Sequence, residues 1–436
     1  MKNKWITLST LPILVLTGCK ATSGLSNGLK KAMLGEPVKE NVTQPANYNT
    51  FLNKVNNFSA KFTEATLKDK NNTSNYAVSP VSVFVALAMT VESSDGETRQ
   101  EILDALDLTY EELTNNIQYF VNSMNVDFTH RNSFGKLETH GGIKLTNSIW
   151  FQKGSSIKEK LIKVLSELYY SYSFQVDFEK ENKKANSLIR DFIKRQTNGL
   201  IDQDLELNVA TLVVLLNTLY FKDTWDERGK DLSFTSKEYE FTMEDLSTKS
   251  IKLLKGYSCS GKVVKEDKYR SFYTRTNSGA KLTFVVPNAG YSLSEVFTKE
   301  TITECMARKY ITVDEEKKEM YFTDCCFPEF EASYNDSLKN VLKEGFGIEK
   351  AFDKKKADFS NTSDWPLFVN DIRHVTKLNV NKTGVEGAAI TVVSMDIATS
   401  TGPEYEYVYD TFVVDRSFGY VLSCGGPLFT GVVQTI

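Results

Sequence analysis

Residues 383–402 read TGVEGAAITVVSMDIATSTG, twenty positions with two charges, Glu386 and Asp396, and no aromatic ring. A long surface loop normally avoids this composition, because apolar side chains left in water contribute nothing to stability. The segment also alternates. One parity holds Val385, Gly387, Ala389, Thr391, Val393 and Met395; the other holds Glu386, Ala388, Ile390, Val392, Ser394 and Asp396. The first set is uncharged and both charges fall in the second, which is the pattern of a strand with one face destined for a core. A plain sheet strand would satisfy the alternation. The run of small residues fits a segment that must also move.

The remaining periodicities supply the frame. Phe51, Val55, Phe58, Phe62 and Ala65 recur at helical spacing and predict a helix over 48–68. Ser79-Pro80 opens an apolar helix over 80–91, with Pro in the first turn. Ser94-Asp95-Gly96-Glu97 has the spacing of a capping box for a helix ending at Leu106. Further helices are predicted around 161–168, over 181–196 (closed by Asn198-Gly199) and over 334–345. Residues 143–151 alternate as a strand. Thr211 to Phe221 is nearly continuous apolar sequence, as in a strand covered on both faces, and 282–286 is similar. Strands are also expected at 372–382, 407–414, 419–423 and 428–433. Helices lie mostly early and strands mostly late, which favours α+β over alternating βαβ units. No internal repeat is visible.

The N-terminus reads as a processing segment. Lys2 and Lys4 precede a largely apolar stretch of 12 residues, Trp5 to Leu16. As a helix this reaches only ~18 Å against a ~30 Å hydrocarbon core, so it suits export better than spanning. It ends Leu16-Thr17-Gly18-Cys19, which resembles the bacterial lipobox; an ordinary signal with an incidental Cys is the plainer alternative. The expected organisation is a lipoprotein signal peptide at 1–18, lipidated Cys19 with a flexible polar tether at 19–48, and one folded domain at 49–436. Acyl chains on Cys19 would hold the protein at a membrane surface, each buried CH₂ contributing ~0.8 kcal/mol. The other five cysteines, Cys259, Cys305, Cys325, Cys326 and Cys424, have no metal-like spacing and read as mostly buried free thiols.

Little points to catalysis. Lys+Arg 52 against Asp+Glu 56 leaves a net charge of −4, so nothing favours nucleic acid. Three histidines, His130, His140 and His374, are too few for a multi-His metal enzyme. Leu422-Ser423-Cys424-Gly425-Gly426 lacks the first Gly of a nucleophile elbow, and no P-loop or dinucleotide fingerprint occurs. A Cys- or Ser-dependent hydrolase is therefore disfavoured. His374 lies in a strand-like stretch and reads as a hydrogen-bonded structural residue.

Several segments resemble one family in the right order. Asn75-Tyr-Ala-Val-Ser79-Pro80-Val-Ser82 followed by FVALAM, then LTNSIWFQKG, YSYSFQVDF, TLVVLLNTLYFKDTW, FPEFEASYNDSLKNVLKEGFGIEKAF and LFTGVV are similar to serpin core segments. The resemblance covers about 48 to 436. It implies a metastable α+β fold of three sheets and about nine helices with an exposed reactive-centre loop. It implies no enzyme and no cofactor, but an inhibitor whose partner is a serine protease, held covalently as an acyl-enzyme after the cut loop inserts into the main sheet. Strand addition by a released loop is a known use of that fold. The protein is expected to be a monomer, exported and anchored at the bacterial cell surface.

By the same resemblance, Gly384, Val385, Glu386, Gly387, Ala388 and Ala389 form the loop hinge, and Thr391 lies midway along the inserting strand. Ser79, Ser82, Asn217 and His374 match the shutter, where the sheet parts, and Trp225 matches the breach at its top. Counting from Gly384 places the scissile bond at Ala398-Thr399. Lys382 stands where the family usually has Glu, Val385 replaces Thr or Ser, and Ile390 is bulkier than usual. None of these adds charge to the inserting face. With no Lys or Arg in 384–402, the implied target has a small apolar pocket, elastase-like or subtilisin-like. A non-inhibitory serpin serving as a binding or carrier protein is the alternative; such members usually carry charge, Pro or bulk in the hinge.

Overall fold

The computed structural model describes residues 25–69, 74–131, 137–205, 207, 209, 211–225, 231–256, 258–386 and 405–436. Signal segment 1–18, Cys19, Gly387, Ala388, Ala389, Thr391, Ala398 and Thr399 lie outside them. The described residues form ten α-helices, one eight-stranded sheet, two six-stranded sheets and a two-stranded ribbon. Helices dominate the first half and strands the second, as the periodicities require.

The main sheet positions the site. Its strands are β1 (Met33–Gly35), β2 (Asn125–Arg131), β3 (Leu137–Gln152), β4 (Ser171–Val176), β5 (Val213–Thr224), β6 (Phe330–Ser337), β7 (Arg373–Val380) and β8 (Gly384–Val385). Their order is β1-β4-β3-β5-β8-β7-β6, with β2 beside β3. Register is fixed by pairs such as Asn147↔Asn217 between antiparallel β3 and β5. Both faces of β5 are covered, which explains its nearly continuous apolar sequence up to Phe221. Leu219 and Phe221 face the larger core, whereas Leu216 packs with Trp150, Phe174, Ile189 and Phe192 in a second core. That second core lies under helix Asn182–Gln196, whose closing Asn198 and Gly199 take positive φ of 50° and 85°.

Helix α1 (Asn27–Ala32) precedes β1, and α2 (Tyr48–Asp69) and α3 (Pro80–Ser93) lie between β1 and the rest of the sheet in sequence. The Ser79 side chain caps α3 by accepting from the Ser82 amide. Three expectations differ from the structure. Helix 334–345 is confined to Lys339–Phe346, because Phe330, Ala332 and Tyr334 alternate inward along β6 and win over the helical spacing. Asp95 rather than Ser94 caps helix Gly96–Leu106; the Ser94 amide closes α3 on Thr90 and Val91.

The third difference is in the segment read as a polar tether. Residues 25–47 lie on the body: β1 pairs antiparallel with β4 through Met33↔Phe174, and Leu29 is wholly buried in the second core. The backbone is held further by Ser166, whose hydroxyl donates to the Glu36 carbonyl at 2.5 Å and whose carbonyl accepts from the Val38 amide at 3.1 Å.

Candidate functional site: the sheet opening and its hinge

The segment expected to be the hinge starts where β7 ends. After a turn over Asn381–Thr383, Gly384 and Val385 run back between β5 and β7, pairing Gly384↔Thr224, Val385↔Asp223 and Val380↔Val385. Only glycine fits the first position, since a Cβ there would lie 2.1 Å from the Asp223 carbonyl oxygen. Val385 follows with its side chain fully buried in the main core. This is the inward parity expected from the alternation.

Glu386 takes the next, outward position. Its φ is 50°, in the left-handed region that a non-glycine residue rarely adopts. Its amide donates to the Asn379 carbonyl at 2.9 Å, while carboxylate oxygen Oε2 is buried with no hydrogen-bond partner. Burial pushes this carboxyl up to about 7, against the pull of Lys222 on β5 and Lys377 on β7.

Trp225 sits beside the hinge turn. Its indole Nε1 donates to the Asn381 carbonyl at 2.6 Å, its amide to the Thr383 carbonyl at 3.4 Å, and its ring packs edge-on to Phe327 at 5.4 Å. Lys382 pairs with Asp231 at 3.0 Å, and its amide donates to Glu329 at 2.8 Å. The family departure at Lys382 thus has its own acidic partners here.

Below the hinge, Ser79, Ser82, Asn217 and His374 are brought near one another at the sheet centre. The Ser79 amide donates to His374 Nε2 at 3.0 Å, so that nitrogen is an acceptor and the ring is neutral. Burial alone holds His374 down to about 3. The Ser82 hydroxyl donates to the Asn217 side-chain oxygen, and the Asn217 amide donates to Asn147. Asn147 completes the chain by donating to the Tyr169 carbonyl at 2.6 Å. These polar groups span β3, β5, β7 and α3, so parting β5 from β7 need not strip them all of partners.

Sequence reasoning missed two groups. Asn147 had a usable signal: a lone inward polar residue in the apolar stretch LTNSIWF. The other is a buried cluster directly beneath Val385. Asp223 accepts from the Thr224 and Ser278 amides, both at 2.9 Å, and lies 3.5 Å from His140, which is 3.0 Å from the Ser278 hydroxyl. Burial pushes the Asp223 carboxyl up, while Thr276, Ser278, His140 and Thr224 pull it back. Serine, histidine and aspartate meet here without a triad's order, because one histidine nitrogen faces both partners. Nothing in the local sequence ties His140 to Asp223.

Among the described residues no thiol is arranged for chemistry. Cys259, Cys305, Cys325 and Cys326 are buried and free, Cys424 is half-buried and free, and burial raises all five thiols. Among the described residues no group of His, Cys, Asp or Glu has metal-site geometry, and no helix is long and apolar enough to cross a membrane.

Known proteins share this arrangement. A family model described as Serpin (serine protease inhibitor) matches residues 53–435. Alpha-1-antiproteinase 2 of Equus caballus is 24% identical over 84% of this chain and 82% of its own length. Alpha-1-antiproteinase S of Cavia porcellus is 26% identical over 84% and 86%. Among solved structures, the thermophilic serpin tengpin in its native state matches with a TM-score of 0.71 at 20% identity, covering 93% of this chain and 99% of that one. Thyroxine-binding globulin in complex with thyroxine matches with a TM-score of 0.69 at 21% identity, covering 89% and 99%. Most of the relatives are named as protease inhibitors, and the family acts by inhibiting proteases rather than by catalysis. With its main sheet, its hinge and the match over nearly its whole folded length, this chain belongs to the serpin family.

Proposed function

We propose that this protein is a surface-tethered inhibitor of serine proteases that acts as a suicide substrate. A protease attacks the loop at Ala398-Thr399 and forms an ester between its serine and the Ala398 carbonyl. The freed strand then continues into the gap between β5 and β7, and the protease is distorted before it deacylates. The observation that carries this reading is the seated hinge: Gly384 and Val385 already occupy that gap in β-register. Continuing the strand adds ladder hydrogen bonds and buries the uncharged parity of the loop.

The loop sequence favours enzymes with small apolar pockets, and its lack of Lys and Arg disfavours trypsin-like ones, whose buried Asp requires a cation. A carrier role is the second reading, kept because thyroxine-binding globulin shares the fold. The small residues of the hinge speak against it. Incubation with elastase-like, subtilisin-like and trypsin-like enzymes on a denaturing gel decides between them. Inhibition predicts a resistant covalent complex with one of the first two and none with trypsin, and a released peptide beginning within two residues of Thr399. Cleavage that leaves the heat stability unchanged and traps no enzyme would favour the carrier.

A further inference from the structure

We propose that residues 25–40 form a bilayer-contacting face that lays the β1 edge of the main sheet along the membrane, with the hinge beyond its upper end. This rests on reading Cys19 as the lipid attachment site.

The leash is the first argument. Leu25 is already buried against the body, so five residues, 20–24, separate it from Cys19. Six Cα steps span at most roughly 22 Å. An anchor on Cys19 therefore keeps α1 and β1 close to the lipid surface, where the expected tether would have let the domain stand off.

The second argument is what this segment exposes. Leu34 and Val38 are 46% and 44% exposed, unusual for aliphatic side chains in a docked strap. Lys30, Lys31 and Lys39 are exposed beside them, and among the described residues none has a carboxylate in ion-pair range. Lys39 also lies close enough to Lys144 to depress its ammonium, after burial, so positive charge continues onto β3. Glu36 and Glu40 offset part of this charge. The surface is thus amphipathic, with aliphatic tips for the headgroup boundary and lysines for anionic headgroups.

The third argument is register. β1 meets β4 at Phe174, Phe174 meets Trp150 on β3, and Trp150 meets Val214 on β5. The hinge meets β5 at Thr224, ten residues further along. At ~3.3 Å per residue the hinge stands roughly 33 Å up the sheet from Met33, but only roughly 13 Å from Lys144 at the upper end of the face, which pairs with Tyr220 four residues short of Thr224. A membrane on the strap therefore runs along the β1 edge of the sheet, with the hinge beyond its upper end.

The test uses the full lipidated chain, purified in detergent and returned to vesicles of mixed phosphatidylglycerol and phosphatidylcholine. Its amide hydrogen exchange is compared with that of the Cys19→Ala chain in buffer. The expected result is several-fold slower exchange over residues 33–40 on vesicles and no change over 406–413. Leu34→Asp combined with Val38→Asp should leave the lipidated chain on the vesicles but abolish that protection. An anchored chain whose 33–40 amides exchange as fast as in buffer, or whose protection centres elsewhere, overturns the inference. Mass spectrometry that finds no acyl chain on the purified protein would instead remove the lipid-anchor reading, and this inference with it.

Discussion

Val385→Asp tests the hinge more sharply than any other single change. Val385 is fully buried, and its cross-strand partner is the buried Asp223. Removing the valine forfeits about 1.5–2 kcal/mol of burial. Two carboxylates about 5 Å apart at an effective dielectric near 20 repel by about 3 kcal/mol. The seated hinge is therefore disfavoured by about 5 kcal/mol, between three and four powers of ten in the seated-to-unseated equilibrium. The chain can avoid that cost only by leaving the gap, so the cut loop should insert too slowly to trap the enzyme. Val385→Asn carries the shape change without the charge and should lie between wild type and Val385→Asp. Val385→Arg is a milder test, because a cation there would face Asp223. The assay is the ratio of covalent complex to cleaved chain on a denaturing gel, with the inhibitor titrated against a fixed amount of protease. Val385→Asp should raise the inhibitor needed per enzyme by at least about tenfold. A Val385→Asp chain that traps protease at the wild-type ratio would refute the reasoning.

Four further outcomes can be checked by thermal unfolding. The Glu386 carboxyl, held up to about 7 against an ordinary value near 4.5, favours the unfolded chain as pH rises through that window. The gain of Glu386→Gln over wild type should thus be negligible near pH 4 and complete above about pH 7; a pH-independent difference would contradict it. His374→Ala leaves the Ser79 amide without its acceptor and opens a cavity, so a loss of about 3 kcal/mol or more is expected. Wild-type stability should also fall as pH drops below about 6.5, where the unfolded His374 takes a proton that the folded ring refuses down to about 3, and His374→Ala should lack that component. Leu29→Ala should lower the melting temperature, with a cost of up to about 2–5 kcal/mol limited by the docking energy of the strap, whereas a free tether would show no change.

Much of the fold was legible because its signals are local. The Phe51-Val55-Phe58-Phe62 stripe gives α2, the Ser79-Pro80 start gives α3, and the nearly continuous apolar run to Phe221 gives a strand covered on both faces. The inward seat of Val385 was legible for the same reason. Alternation alone places Val385 inward and Glu386 outward, and the structure has both in those positions. Local signals also misled where two periods overlapped: Tyr334, Leu338 and Val341 fit a helix, but Tyr334 belongs to a strand, Leu338 stands at the cap and only Val341 lies in the helix after it.

The sequence by itself settled which faces are apolar, where small residues cluster, and which segment could serve as an added strand. Tertiary structure decided what those faces meet. Asp223 lies opposite Val385, and His140 lies beside Asp223, because antiparallel registers bring remote strands together. Residues 25–47 look featureless because their partners, Trp150, Phe174 and Phe192, are supplied by distant elements. A three-residue strand and a six-residue helix have no stability of their own in water, so their order comes from burial against a surface the rest of the chain must first build.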